Sequence, residues 1–305
     1  MFRSAADMET RNRLGVQPLQ KYLDAIDNAK TIEEFTTAET MIRKEISSGG
    51  SVSVMLMNDY RDNKQKIIKI QSMIPSYSQE EYQDTENRYI NAQKTMYRKY
   101  LILAGESEEE AAKKAEAPFI LEQKLLPAMP PSEDFSDPNK INKAVSVEEL
   151  QKLLPAIDIK ALIEATGFEA TGDVVLNSPD LIEAYGKLMT DENLDLFKAA
   201  SKVSLLEAHF LNLSQDFMDV YDEYNQAATG SPADINTAEE TAAGLVTETL
   251  GDYIDQLYVE KHFSPEAKKD VEKMVQGFLD NYKTRIQNLD WMGDKTKQRA
   301  LEKLE

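Results

Sequence analysis

Residues 251–305 read GDYIDQLYVEKHFSPEAKKDVEKMVQGFLDNYKTRIQNLDWMGDKTKQRALEKLE. Val271, Met274, Val275, Phe278, Leu279, Tyr282, Ile286 and Leu289 recur at three- and four-residue spacing, the period of one helix face. A helix is therefore predicted from Pro265. Ser264 is its N-cap, and the proline sits in the first position, where no intrahelical N–H bond is needed. Gly293 interrupts the pattern, Asp294 offers a second cap, and another helix is predicted from Lys295. Ala300, Leu301 and Leu304 stay in phase to the last residue with no stop signal. Each apolar side chain of the first helix contributes about 1.5–3 kcal/mol if fully buried, so the stripe demands a partner surface. The helix from Pro265 is expected to find that surface within this chain, and the helix from Lys295 is not.

The same helical period runs through most of the remaining sequence. Residues 1–14 read as a helix end closed by Gly15, and Pro18-Leu19 opens a helix to about Ala29. Thr31 caps the next, with Phe35, Ala38, Met41, Ile42 and Ile46 on one face and Ser47 to Gly50 ending it. One helix is predicted over 79–103, carrying Tyr82, Tyr89, Met96, Tyr100 and Leu103. Ser107 with Glu110 and Ser146 with Glu149 have the spacing of capping boxes. Pro118 is expected to kink or break the helix it enters. A polar loop is expected from the prolines at 127–131 to about Ala144. Further helices are predicted at about 179–189, 191–229 and 237–261. Two stretches differ. SVSVMLM (51–57) and KIIKI (66–70) flank a polar connection, Asn58 to Gln65, and predict a β-hairpin; Val174-Val175-Leu176 predicts a short strand. A lone hairpin is marginal, so it is expected to pair or pack further. The fold class is mainly α, a large multi-helix domain with a small β-hairpin.

Of the 305 residues, 54 are Asp or Glu and 35 are Lys or Arg, a net charge of −19. That balance argues against nucleic acid as a partner, whose affinity rests on Lys and Arg. Gly and Pro, 12 and 11 residues, are too few for a turn-rich all-β fold. There is no cysteine, which excludes disulfides, thiolate metal sites and cysteine nucleophiles. The charged first twenty residues lack the apolar core of a signal peptide, and no run is long and apolar enough for a helical membrane span. A cytoplasmic location with no membrane partner is the expectation.

No catalytic constellation is visible in the residues themselves. The two histidines, His209 and His262, are far apart in the chain, and neither has a second histidine one helical turn away, as H-E-x-x-H zinc sites require. His209, inside LLEAHF, reads as a packed, hydrogen-bonded residue, and His262 as a joint before a cap. No G-x-S-x-G elbow supports a Ser-His-Asp triad, and neither a P-loop nor G-x-G-x-x-G is present. Glu108-Glu109-Glu110 and Glu239-Glu240 read as helix first turns favoured by the macrodipole.

The segments LYVEKHFSPEAK (257–268), LDWM (289–292), Thr296-Lys297 and ALEKL (300–304) resemble, in this order, the neprilysin-like (M13-type) zinc metallopeptidases, and among them the bacterial oligopeptidase O type. Weaker matches run the length of the chain: Arg3-Ser4, Gly15, Pro18-Leu19, Asn58-Asp59, Leu121-Glu122, Ser146 to Leu150 with Pro155, and Ser178-Pro179. The resemblance implies that the chain is the helical cap that closes over a catalytic domain and encloses a chamber. It also implies that the H-E-x-x-H helix, the downstream glutamate and the N-A-x-Y segment follow the point where this sequence stops. No catalytic or metal residue is carried over. Zinc is expected in the C-terminal domain and no cofactor in this chain. Ala5 stands where animal members have a disulfide cysteine. Leu14 stands where some have an arginine for the substrate's terminal carboxylate, with Arg13 one residue earlier.

These readings give residues 1–263 as the cap, its N-terminus expected to be truncated because Met1 to Ser4 enter a helix already under way, and 264–305 as a connector toward the missing domain. The partners implied are the C-terminal catalytic domain of the same protein and peptide substrates. The expected role is the wall that restricts substrate size in a zinc metalloendopeptidase, the fragment itself being inactive. Met55, Met57, Asn58, Asp59 and Arg61, on the uncharged strand and polar tip of the hairpin, are the candidate chamber-facing residues. The rival is a stand-alone acidic helical module that binds peptides or proteins without chemistry, and a hydrolase built on His209 is a third reading.

Overall fold

A computed structural model describes residues 1–62, 64–233 and 237–304. Helix accounts for 69% of the chain and strand for 8%, which makes the fold mainly α, as the periodicity predicts. The chain divides into two compact units, Asp7–Ala238 and Met1–Ala6 with the chain from Glu239 onward.

In the larger unit, α1 is Met8–Leu14, followed by α2 (Gln17–Asn28) and α3 (Ile32–Ile46). Gly15 has φ +55 between the first two, a conformation that glycine adopts without a Cβ penalty. Thr31 caps α3 by accepting from the Glu34 amide. Strands β1 (Val52–Asn58) and β2 (Lys66–Ser72) form the predicted hairpin, with Val52 opposite Ser72 and Asn58 opposite Lys66. The hairpin is not alone. β2 pairs in parallel with β4 (Asp173–Asn177), and β4 pairs antiparallel with β3 (Asn142–Ser146), giving the order β1-β2-β4-β3. Val174, Val175 and Leu176 are all buried, as a strand covered on both faces requires. β3 begins inside the stretch read as polar loop and runs on to the capping residue Ser146; its sequence NKAVS has no alternation, and its pairing comes from β4 far along the chain.

The helix expected over 79–103 is two, α4 (Gln79–Gln83) and α5 (Arg88–Leu103). The Asp84 carboxylate accepts from the Glu86 amide, and Asn87 accepts from the amides of Tyr89 and Ile90, so short polar side chains supply the backbone with an alternative to a continuous helix. Tyr89, placed with the core face by spacing, is exposed. Pro118 breaks the next helix as predicted, leaving α6 (Glu108–Lys114) and α7 (Ala117–Leu125), with the proline in the first turn of the second. Ser107 caps α6 through the Glu110 amide without the reciprocal half of a capping box. Ser146 and Glu149 form both halves at α9 (Val147–Leu153), after the single turn α8 (Pro138–Ile141). α10 (Ile159–Ala165) and α11 (Pro179–Leu188) flank β4 in sequence.

The expected helix over 191–229 is also divided, into α12 (Leu194–His209) and α13 (Gln215–Thr229), because Leu213 is extended between them. Phe35 and Tyr185 pack on Phe197 at centroid distances of 6.2 and 5.5 Å, at the centre of the core. Lys202, almost fully buried on α12, pairs with Asp27 at 2.7 Å and Glu106 at 2.5 Å and links three segments.

The smaller unit holds a first helix at Phe2–Ala6 together with α14 (Ala238–His262), α15 (Pro265–Gln287) and α16 (Asp294–Glu302). Ser264 caps α15 as predicted, accepting from the Ala267 amide at 3.1 Å. Asp294 is not a cap; Gly293 holds that position and Asp294 is the first helical residue. The larger difference concerns burial. α15 buries none of its residues, and Met274, Phe278 and Tyr282 are 56%, 61% and 57% exposed, so its own unit does not bury the stripe, which the spacing led us to expect covered. Among the described residues no helix is long and apolar enough to cross a membrane.

Candidate functional site

β1 is an edge strand, and its two halves differ. Val52 and Val54 are buried, whereas Met55, Leu56 and Met57 are exposed at 42%, 49% and 38%. Alternation and register put Met55 and Met57 on one face beside Lys69 and Ile67, while Leu56 lies opposite Ile68 on the other. Burial lowers the Lys69 ammonium below its ordinary value. Three consecutive apolar side chains on an open strand edge form an adaptable surface, and methionine is the residue best suited to it.

The tip beyond β1 is held by its own side chains. The Asp59 amide donates to the Gln65 carbonyl at 2.9 Å, and the Gln65 amide to the Asp62 carbonyl at 2.9 Å. The Asp59 carboxylate takes the Arg61 amide at 2.9 Å, Arg61 Nε at 3.0 Å and a terminal Arg61 nitrogen at 2.6 Å, which holds it below the usual carboxylate range. Lys66 Nζ donates to Asn58 Oδ1 at 2.6 Å across the last pair of the ladder. Asn58 and Arg61 are exposed and Asp59 is buried. The structure thus gathers all five candidate residues on one hairpin, but divides their work: Asp59 and Arg61 build the tip, and the two methionines are its free surface. Asn63, within the connection, lies outside the described residues. Beside the tip a groove of about 550 Å³ runs between Leu56, Lys66 and Ile68 and the segment Gly167 to Asp173.

The histidines carry no visible chemistry. His209 ends α12, half-buried, with its imidazole lowered by burial. It is packed as expected, yet its Nε2 has no hydrogen-bond partner, contrary to the hydrogen-bonded role assigned from sequence. His262 ends α14, the joint position predicted for it. Among the described residues no group of three His, Cys, Asp or Glu side chains is placed to hold a metal ion, so the donor set here does not fit zinc.

One site residue escaped the sequence reading. Glu39 lies one turn from Phe35 and from Ile42, within the buried stripe of α3, and is itself buried. Its carboxylate accepts from the Ser51 amide at 3.2 Å, the Ser51 hydroxyl at 2.9 Å and the Ser201 hydroxyl at 2.9 Å. Burial raises its pKa, and the serine hydrogen bonds offset part of that rise. An acidic residue inside an apolar stripe was the available signal.

Residues 1–305 match the sequence model for the N-terminal region of peptidase family M13. A neutral endopeptidase of Lactobacillus helveticus is 30% identical over 207 residues, covering 67% of this chain and 31% of that protein. Endothelin-converting enzyme-like 1 of Mus musculus is 24% identical, over 100% of this chain and 41% of its own length. Among solved structures, the zinc metalloprotease ZMP1 of Mycobacterium tuberculosis in complex with an inhibitor superposes with a TM-score of 0.84 at 25% identity, over 99% of this chain and 46% of that one. PepO from Lactobacillus rhamnosis gives 0.85 at 22% identity over 99% of this chain and 48% of its own, a likeness of fold. The chain spans less than half the length of each of these relatives. It is a member of peptidase family M13.

Proposed function

We propose that the chain is the N-terminal helical part of a zinc metalloendopeptidase that hydrolyses peptides. In this reading it walls the substrate chamber, and a C-terminal catalytic domain of the same protein supplies the zinc and the reacting groups. The observation that carries the reading is the pairing of a full-length family match with coverage of only 46% of the inhibitor-bound zinc metalloprotease. The exposed stripe of α15 supports it, since an apolar face of that size calls for a partner. Residues 1–263 act as the cap and 264–305 as the connector to the catalytic domain. Zinc, when bound in that domain, supplies Lewis-acid and water-activating chemistry. This chain's own residues exclude and guide: the hairpin presents Met55 and Met57 to the peptide, while Asn58, Asp59 and Arg61 keep the tip in shape. A wall of this kind admits flexible peptides and excludes folded proteins. The lack of cysteine supports a cytoplasmic location.

The same exposed stripe would also serve a stand-alone binding module, the second reading; the length of the relatives favours the first. The test is hydrolysis by the full-length protein of one sequence presented as a free peptide and as a loop of a folded domain. Cleavage of the free peptide alone supports a size-restricting wall, and equal cleavage of both overturns it.

A further inference from the structure

A cavity of about 370 Å³ opens between the start of β1, the end of β2 and helices α3, α11 and α12. That volume is at the small end of ligand sites and suits a group the size of one or two amino acids. Its lining is rich in hydroxyls, from Ser51, Ser53, Ser201 and Ser204, and Phe197 contributes an apolar wall. Glu39 is the one carboxyl that lines it, and neither lysine nor arginine joins it there. Arg43, one turn along α3, is turned instead to the carbonyls of Gly49 and Val52, at 2.8 and 2.7 Å. Tyr185 lines the same cavity fully buried, and its hydroxyl makes no hydrogen bond of ordinary geometry, with Ser51 its polar neighbour. A buried hydroxyl is ordinarily satisfied, so this one gains from an acceptor bound in the cavity. Ser53 pairs with Gln71 across the hairpin, on the face that carries Met55 and Met57. The cavity and the exposed methionines thus share one side of the sheet.

We propose that this cavity binds a primary ammonium with a neighbouring carbonyl, the grouping at a peptide's free N-terminus or in an amino-acid amide. Glu39 faces the cation, the serine hydroxyls accept its remaining N–H bonds, and Tyr185 donates to the carbonyl. Charge decides between this grouping and a neutral one: Arg43 acts on the Glu39 carboxyl from one turn away while bonded to backbone carbonyls, so an ammonium in the cavity supplies the direct charged contact. The proposal goes beyond the chamber-wall reading and does not depend on it, because every residue it uses lies in this chain.

The test is calorimetric titration of the 305-residue chain with alaninamide and with N-acetylalaninamide, which keeps the carbonyl and removes the cation. Saturable binding of alaninamide, weakened by about tenfold or more on acetylation, is expected, the scale of one lost charged contact. Glu39→Gln keeps the shape of the side chain and should weaken alaninamide by a similar factor. Ser204 is exposed at the rim, so Ser204→Trp should block binding with the melting temperature unchanged, a check that holds even if Glu39→Gln fails to fold. Absence of binding to the folded wild-type chain, equal affinity for the acetylated probe, or unchanged binding in Ser204→Trp would each overturn the proposal.

Discussion

Arg11 and Leu213 are 202 positions apart in sequence, yet Arg11 Nε lies 2.9 Å and a terminal guanidinium nitrogen 2.7 Å from the Leu213 carbonyl oxygen. The same guanidinium also donates to the Leu211 carbonyl. These carbonyls belong to the break between α12 and α13, where the helix ladder leaves them without partners, and a charged donor from α1 satisfies them. Arg11→Ala removes charge-assisted bonds at a buried site and should cost about 1.5–3 kcal/mol. The midpoint of urea unfolding measures it, and a change under about 0.5 kcal/mol would mean that the break holds itself.

Glu207 supplies a pH prediction. Its carboxyl accepts from the Tyr97 hydroxyl at 3.1 Å and is raised by burial above the ordinary value of 4.5. A raised folded-state pKa contributes stability that is fully present below the unfolded value and lost as pH rises through the folded one. Glu207→Gln, which cannot ionise, should therefore gain stability relative to wild type as pH climbs from about 4.5 toward neutrality. Thermal melts of both proteins at several pH values check the sign; a wild type that gains on the variant over that range would contradict it.

Caps and turns written within a few residues were legible in the sequence: Thr31, Ser146 with Glu149, Ser264, and the hairpin. What depends on distant partners was not. β3 exists because β4 lies beside it, and the break at Leu213 is stabilised by an arginine far upstream. Periodicity told which face of α15 is apolar but not what covers it. The candidate site divides in the same way. The methionine strand announced itself by composition, whereas the cavity around Glu39 needs segments from across the larger unit and showed only as one acidic residue in an apolar stripe.

The hairpin methionines give a prediction that separates stability from function. Because both are exposed, Met55→Ser with Met57→Ser should change unfolding free energy by no more than about 0.5 kcal/mol per site. If this strand faces the substrate, KM for apolar peptides in the full-length protein should rise with kcat little changed. Unchanged KM would move the substrate-facing surface elsewhere.

Hydrogen exchange tests the unpartnered C-terminal helices. Trp291 is 77% exposed, and neither α15 nor α16 has a buried residue. Amides of 291–304 should be the fastest to exchange from α14 onward, as expected of segments with few buried contacts. Strong protection there would show a covering surface already in place.

We propose that the catalytic groups lie outside these residues, and the most direct test measures zinc content and peptide hydrolysis for the 305-residue chain alone and for the full-length protein. No stoichiometric zinc and no cleavage are expected from the chain alone, and chelator-sensitive cleavage from the full-length protein. Hydrolysis by the isolated chain, abolished by His209→Ala with the fold intact, would contradict it.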